Sequence, residues 1–215
     1  EGSGEVSTGF YNGVATQSAR FDANHYMTQS APSSAGDRRQ FTFSWWAKKA
    51  VATEYATLYS NFLSGSNTNS TFFLIYLDGS ASTVVAGGID YAVVSTAKLR
   101  DLTNWYHCVL VVDTDQASNA NRMKIYINGI LGSSMSGTCP QIDLPVNNTQ
   151  AYQIGRRMVN NDRYMDALIA DFNLVDGTAI GDTSRTNPNT GETEYVIDEF
   201  GEFNNGVWIP KAYSG

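Results

Sequence analysis

Charge is scarce in this chain. Only 16% of its 215 residues are charged, and 14 basic against 21 acidic side chains leave a net charge of −7. A nucleic-acid binder would show a basic stripe. Here the basic pairs Arg38-Arg39, Lys48-Lys49 and Arg156-Arg157 stand alone and read as solvated strand ends. Cysteine is scarcer still. Cys108 and Cys139 cannot make a disulfide framework, and they read as two free thiols, in keeping with assembly in a reducing cytoplasm. No apolar run approaches the roughly 18 residues of a membrane span, and no signal peptide is seen. The chain opens on Glu1 rather than Met, so it reads as processed or as part of something longer. Helical periodicity is missing too: no segment of about 11 residues or more carries it together with caps. No repeat of fixed period occurs, which argues against a propeller or solenoid.

What is present is aromatic and β-branched. The chain holds 12 Tyr, 10 Phe and 4 Trp among many small polar residues, a composition suited to strands joined by polar turns. Apolar residues recur at every second position in segment after segment. Phe41, Phe43, Trp45 and Ala47 share one face of a strand, and Thr42, Ser44, Trp46 and Lys48 the other. The run 71–77 is apolar on both faces, as a central strand would be. Residues 83–86 and 91–96 read as a hairpin, and 105–113 as a long β-branched strand. Residues 122–127 run into Asn128-Gly129, whose positive φ angles suit a type I′ turn, and return through Ile130-Leu131. In 164–174, Ile169, Phe172 and Leu174 break strict alternation, and a bulge near Ala170-Asp171 would turn all three inward. After Gly177 the chain reads as irregular, with Phe200, Phe203, Val207, Trp208 and Ile209 folding back onto the domain. Some 11 or 12 strands at this spacing predict an all-β protein, a two-sheet antiparallel β-sandwich of jelly-roll type. Residues 1–16 are expected to form an arm or linker, and 17–215 the sandwich with its tail.

Catalytic constellations are hard to assemble. Paired carboxylates on one strand, as a glycosidase needs, are missing: no Glu-x-Asp occurs, Asp166 and Asp171 fall on opposite faces of a regular strand, and Glu199 and Glu202 read as solvated. His25 lies in a polar turn. His107 directly precedes Cys108, so the two side chains point to opposite faces. No nucleophile elbow or phosphate-cradling glycine loop is present. The chain therefore reads as a non-enzyme. Asp113 and Asp115 open a loop that superficially resembles an EF-hand, but Ser118 and Lys124 stand where Gly and Glu belong. The pair could supply two oxygens to Ca²⁺, with Asn147, Asn148 and Asp166 as further candidates. Sugar binding needs an aromatic platform beside planar polar groups, and Trp46, Tyr55, Tyr59, Tyr91 and Tyr126 are the candidates. Trp46 stands out because it opposes the Phe41–Trp45 face; facing outward, it would be a ligand platform or a subunit contact. The sequons at Asn69 and Asn147 carry little weight without a secretion signal.

Several segments together resemble the laminin-G/pentraxin/concanavalin A superfamily, in the form found in marine phage proteins. They are Ser18-Ala-Arg-Phe-Asp22, Phe41-Thr-Phe-Ser-Trp-Trp-Ala-Lys48, Trp105-Tyr-His-Cys-Val-Leu-Val-Val-Asp113, and Met123-Lys-Ile-Tyr-Ile-Asn-Gly129. Tyr152-Gln-Ile-Gly-Arg156 follows, then the segment from Tyr164 to Asp176-Gly177, and last Gly206-Val-Trp-Ile-Pro-Lys-Ala-Tyr213. The resemblance implies two face-to-face antiparallel sheets without catalytic residues. It further implies a virion structural or adhesion protein, in a head fibre, capsid decoration or tail fibre, assembled in the host cytoplasm and exposed on the particle. Its partners would be other virion proteins and host surface glycans, with homo-oligomers expected. The alternative is a carbohydrate-binding lectin or an enzyme's accessory module, calcium-dependent or not.

Overall fold

The computed structural model describes residues 13–51, 55–62 and 72–215. Most of the arm assigned to residues 1–16, and the Asn69 sequon, lie outside the described residues. Among the described residues seventeen strands follow one another: β1 (Ala19–Asp22), β2 (Met27–Gln29), β3 (Gln40–Lys49), β4 (Ala56–Phe62), β5 (Phe72–Asp78), β6 (Thr83–Gly87), β7 (Tyr91–Ser95), β8 (Tyr106–Asp113), β9 (Met123–Ile127), β10 (Ile130–Leu131), β11 (Ser133–Gly137), β12 (Tyr152–Ile154), β13 (Asp166–Asp176), β14 (Thr183–Thr186), β15 (Thr193–Val196), β16 (Gly201–Asn204) and β17 (Val207–Pro210). A single helical turn, α1 (Asn119–Arg122), precedes β9. The surplus over the sequence-based count comes mainly from edge pieces of two to four residues, too short and polar to show alternation.

Two antiparallel sheets make the sandwich. One holds eight strands in the order β1-β13-β3-β8-β9-β10-β15-β14, the other seven in the order β11-β7-β6-β5-β4-β12-β2. The doubly apolar strand β5 sits at the centre of the second sheet, as its composition requires. The expected irregularity after Gly177 is corrected: β14 and β15 pair and extend the larger sheet through β10.

The core is the inward half of the alternation. Phe41, Phe43, Trp45 and Ala47 of β3 are at most 1% exposed and meet Phe73, Ile75 and Leu77 of β5 across the sandwich. Each such aromatic contributes roughly 1.5–3 kcal/mol by leaving water. Cys108 joins this core as a free thiol while His107 faces the other way, because neighbouring strand residues alternate. The β13 bulge is present. Register shifts between Ala170 and Asn173, Asp171 takes φ of 47°, and Ile169, Phe172 and Leu174 all pack on the core.

The outer face of the eight-stranded sheet is not left to solvent. Residues 178–213 run back over it. Thr42 Oγ1 donates to the Thr178 carbonyl and accepts from the Ile180 amide, which pins this return path to β3. Ile180, Ile197 and Phe200 then pack on Val109, Val111 and Tyr126. The β16–β17 hairpin covers Trp46 with Trp208 and Phe203. Thr42, Ser44, Trp46 and His107 are thereby buried on the face that alternation leaves polar.

His107 is the joint of this seam. Its ring stacks on Trp46 at 4.8 Å. Trp208 Nε1 donates to His107 Nδ1 at 3.0 Å, and His107 Nε2 lies 2.9 Å from Ser44 Oγ. An indole nitrogen can only donate, so Nδ1 must be bare and the ring proton sits on Nε2, donated to Ser44. Complete burial then pulls the His107 pKa down to about 3. A second proton would also face the indole N–H head-on.

The Asn128-Gly129 turn seats the same hairpin. Both residues have positive φ, 50° and 80°, and a Cβ on Gly129 would stand 2.4 Å from the Trp208 ring. Gly129→Ala combines left-handed strain with that clash, each roughly 1–2 kcal/mol. We expect a loss of about 2 kcal/mol or more in urea unfolding, and less in a Trp208→Ala background, where the clash is gone.

Candidate functional site

Of the aromatic residues proposed from sequence as ligand platforms, the structure buries four. Trp46 and Tyr126 lie under residues 178–213, and Tyr59 and Tyr91 belong to the core between the sheets. Tyr126 further donates its hydroxyl to Asp182 Oδ2 at 2.5 Å. The correction has one physical reason. Alternation separates two faces but does not reveal that the tail returns to cover one of them. A cleft of about 320 Å³ survives beside the seam, lined by Trp46, Trp105, Trp208, Asn104 and Asn128. Its two asparagines are already engaged: Asn104 donates to Asp101, and Asn128 Oδ1 accepts the His107 amide.

Tyr55 alone of the five faces solvent, at 42% exposed. It stands just before β4 on the outer side of the seven-stranded sheet. There Tyr76 projects from β5, since Phe73, Ile75 and Leu77 fill the inward positions. The two phenol rings lie 6.0 Å apart at 49°. The Arg163 guanidinium stands over both, 4.8 Å from the Tyr55 centroid and 5.7 Å from that of Tyr76. Such contacts orient the cation and are worth roughly 0.5–1 kcal/mol at exposed positions. Burial, its largest influence, pushes the Tyr76 pKa up, so its hydroxyl stays a donor.

The loop between β12 and β13 carries this cation and a second one. Gly155 bonds Leu58 and Met165 across its base. Arg157 bridges Asp162 through backbone and side chain, which also holds the Asp162 carboxyl below the usual range. The Met158 amide donates to Ser60 Oγ and the Thr57 amide to the Arg163 carbonyl, lashing the loop to β4. Asn161 and Arg163 pay in strain, with φ of 54° and 51°. On its other flank Arg156 lies 3.5 Å from the Tyr26 ring centroid and bonds Gln153 and the Tyr164 hydroxyl. Tyr26 is 41% exposed and meets Tyr164 edge-on at 6.3 Å. The result is two clusters, Tyr55 and Tyr76 with Arg163 and Tyr26 and Tyr164 with Arg156, each setting two rings beside a guanidinium.

Of these residues only Tyr55 stands out in the sequence. Arg156 reads there as a solvated strand end, and so does Lys49, though Lys49 is 4% exposed and its ammonium pKa is lowered by burial. Two signals were there to be read: Tyr76 holds an outward position of the central strand, and Asn160-Asn161-Asp162 announces a tight turn that delivers Arg163-Tyr164.

The acids named for calcium are engaged within the protein. Asp113 Oδ1 and Oδ2 accept from Asp115 N and Gln116 Nε2 within their own loop, and Asp115 pairs with Arg39 at 2.6 Å. Asn147 binds Asp37 and Asp176, Asn148 binds Asn61, and Asp166 pairs with Arg20. Among the described residues no group of three or more His, Cys, Asp or Glu is placed to hold a metal. The same residues include no helix long and apolar enough to cross a membrane.

Comparison with known proteins agrees with the geometry. No curated protein matches the chain. Among solved structures, the LG1-3 region of the laminin alpha2 chain aligns with a TM-score of 0.55 at 13% identity, covering 78% of this chain and 33% of that one. Domain 4 of AbnA, a GH43 extracellular arabinanase from Geobacillus stearothermophilus, solved in complex with arabinotriose, aligns with a TM-score of 0.51 at 18% identity, covering 75% and 71%. This chain thus spans about a third of the laminin region and most of the arabinanase domain. The laminin-G model of the concanavalin A-like lectin/glucanases superfamily matches residues 21–183, three-quarters of the sequence, and the chain belongs to that superfamily.

Proposed function

We propose that this protein is a non-catalytic glycan-binding module, and that the sugar lies against Tyr55 and Tyr76 on the outer side of the seven-stranded sheet. The observation that carries the reading is an exposed tyrosine, built next to a second ring and a guanidinium, on a sandwich of lectin type. A sugar ring presents C–H groups to an aromatic face and hydroxyls to planar side chains around it. The superfamily supports binding over catalysis, as does the dispersal of the acids: Glu199 and Glu202 are exposed, and Asp166 is held by Arg20. A glycan array probed with the whole chain tests the reading. Tyr55→Ala should weaken capture about three- to tenfold and leave the unfolding transition within about 0.5 kcal/mol of the parent. An array with no bound glycan, or binding indifferent to Tyr55, overturns it.

A virion setting is the narrower proposal. It draws support from the resemblance of Asp176-Gly177 and of residues 206–213 to phage structural proteins. There the module would sit on the particle surface as a homo-oligomer beside capsid or tail proteins. Peptides of this chain in purified particles are expected; their absence removes that setting and leaves the glycan reading standing.

A further inference from the structure

We infer that Arg163 makes this site selective for carboxylate-bearing sugars, an inference that rests on the glycan reading and sharpens it. Other arginines drawn away from solvent engage acceptors within the protein. Arg157 binds Asp162, Arg185 binds Glu194, and Arg122 donates to three carbonyls. Arg163 differs. Among the described residues its guanidinium meets two aromatic faces and no acceptor. The neighbouring Asp162 carboxylate is held by Arg157 from two sides. Asp78, which also bears on Tyr76, accepts from Ser80 and Ala81 instead.

The Arg163 nitrogens are not among the buried, unpartnered atoms of the described residues, so they reach the surface, where water or an incoming anion completes them. The backbone of this residue is held firmly. The Arg163 carbonyl accepts from the Thr57 amide, its φ of 51° is strained, and two rings flank its guanidinium. The Asp162 carboxylate lies within electrostatic reach of Arg163 but takes none of its N–H groups, which are left to an acceptor from outside. Geometry narrows the anion. No acceptor among the described residues takes the N–H groups of Arg163, and an edge of a guanidinium offers two parallel N–H groups matched to the two oxygens of a planar carboxylate. Tyr55, with its exposed surface beside that edge, takes the sugar ring which carries the acid.

The test uses the full chain and matched pairs of oligosaccharides, each a carboxylated glycan (uronic or sialic) and its methyl ester or neutral parent. Calorimetric titration is expected to show the acid bound about tenfold to a hundredfold more tightly than its partner, with the preference shrinking as salt is raised. Arg163→Gln should bring the acid-to-ester ratio to about one without moving the melting temperature. Arg163→Lys, which keeps the charge and loses the fork, should restore only part of it. Equal binding of acid and ester overturns the selectivity and leaves the glycan reading intact. Tighter binding of sulfated than of carboxylated sugars overturns the carboxylate assignment. No binding of either member of any pair overturns both. Should the Arg163→Gln chain fail to fold while Arg163→Lys folds, an acid preference reduced but not abolished in the latter supports the fork, and an undiminished one overturns it.

Discussion

Replacing Trp208 with alanine is expected to destabilise the protein by about 3–5 kcal/mol, the usual loss for truncating a buried Trp. The ring is 7% exposed and touches Phe203 at 4.7 Å, and its indole N–H is the donor to His107 Nδ1. Truncation opens a cavity under the β16–β17 hairpin and leaves a buried acceptor without its hydrogen. Trp208→Phe separates the two effects: most of the packing stays, and the orphaned Nδ1 alone should cost about 1–3 kcal/mol. Urea unfolding followed by circular dichroism measures both. A loss below about 1 kcal/mol for the alanine variant would mean that the hairpin does not cover the sheet in solution.

Acid should loosen the same seam. In the folded chain His107 has a pKa near 3, against 6.5 when free in the unfolded chain. The folded state therefore keeps the ring neutral while the unfolded state takes up a proton as pH falls below about 6.5. Stability from this group is intact above that value and is lost at about 1.4 kcal/mol per pH unit on the way down, roughly 2–3 kcal/mol by pH 4.5. Carboxylates act in another window. The Asp22, Asp101 and Asp162 pKa values are lowered, mainly by hydrogen bonds from His25, Thr103 and Arg157 respectively. Their contributions are present above the ordinary carboxylate range and disappear only as pH drops through it. A His107→Gln chain should thus lose the slope between pH 6.5 and 4.5 while keeping the fall at lower pH. An unchanged slope in that variant would remove His107 from the account. Trp208→Phe, which takes away the opposing N–H, should raise the His107 pKa as followed by the imidazole resonances.

Both expectations concern a region whose importance the sequence shows only in part. The apolar residues near the C-terminus announce that the tail folds back, and Phe200, Trp208 and Ile209 do become buried. Where they land is another matter. Trp46 and His107 are paired neighbours across β3 and β8, and nothing local to either strand says that Trp208, some hundred residues on, will close over them. Trp46 read as a solvent-facing platform for that reason.

Local order was decided by the chain itself. Alternation in β3 and β9 named the inward set, because in a pleated strand each step of one residue crosses to the other face. Asn128-Gly129 specified its turn, and the broken period around Ala170-Asp171 located the bulge, because both are consequences of backbone geometry within a few residues. Tertiary structure alone decided which outer face would be covered and which left open. It alone brought Arg163 over Tyr55 and Tyr76, from segments about a hundred residues apart. Those meetings depend on the path of the tail and on strained turns at Asn161 and Arg163, held by contacts with β4. No periodicity records contacts of that range, since each is the joint product of two distant segments and the sheet between them.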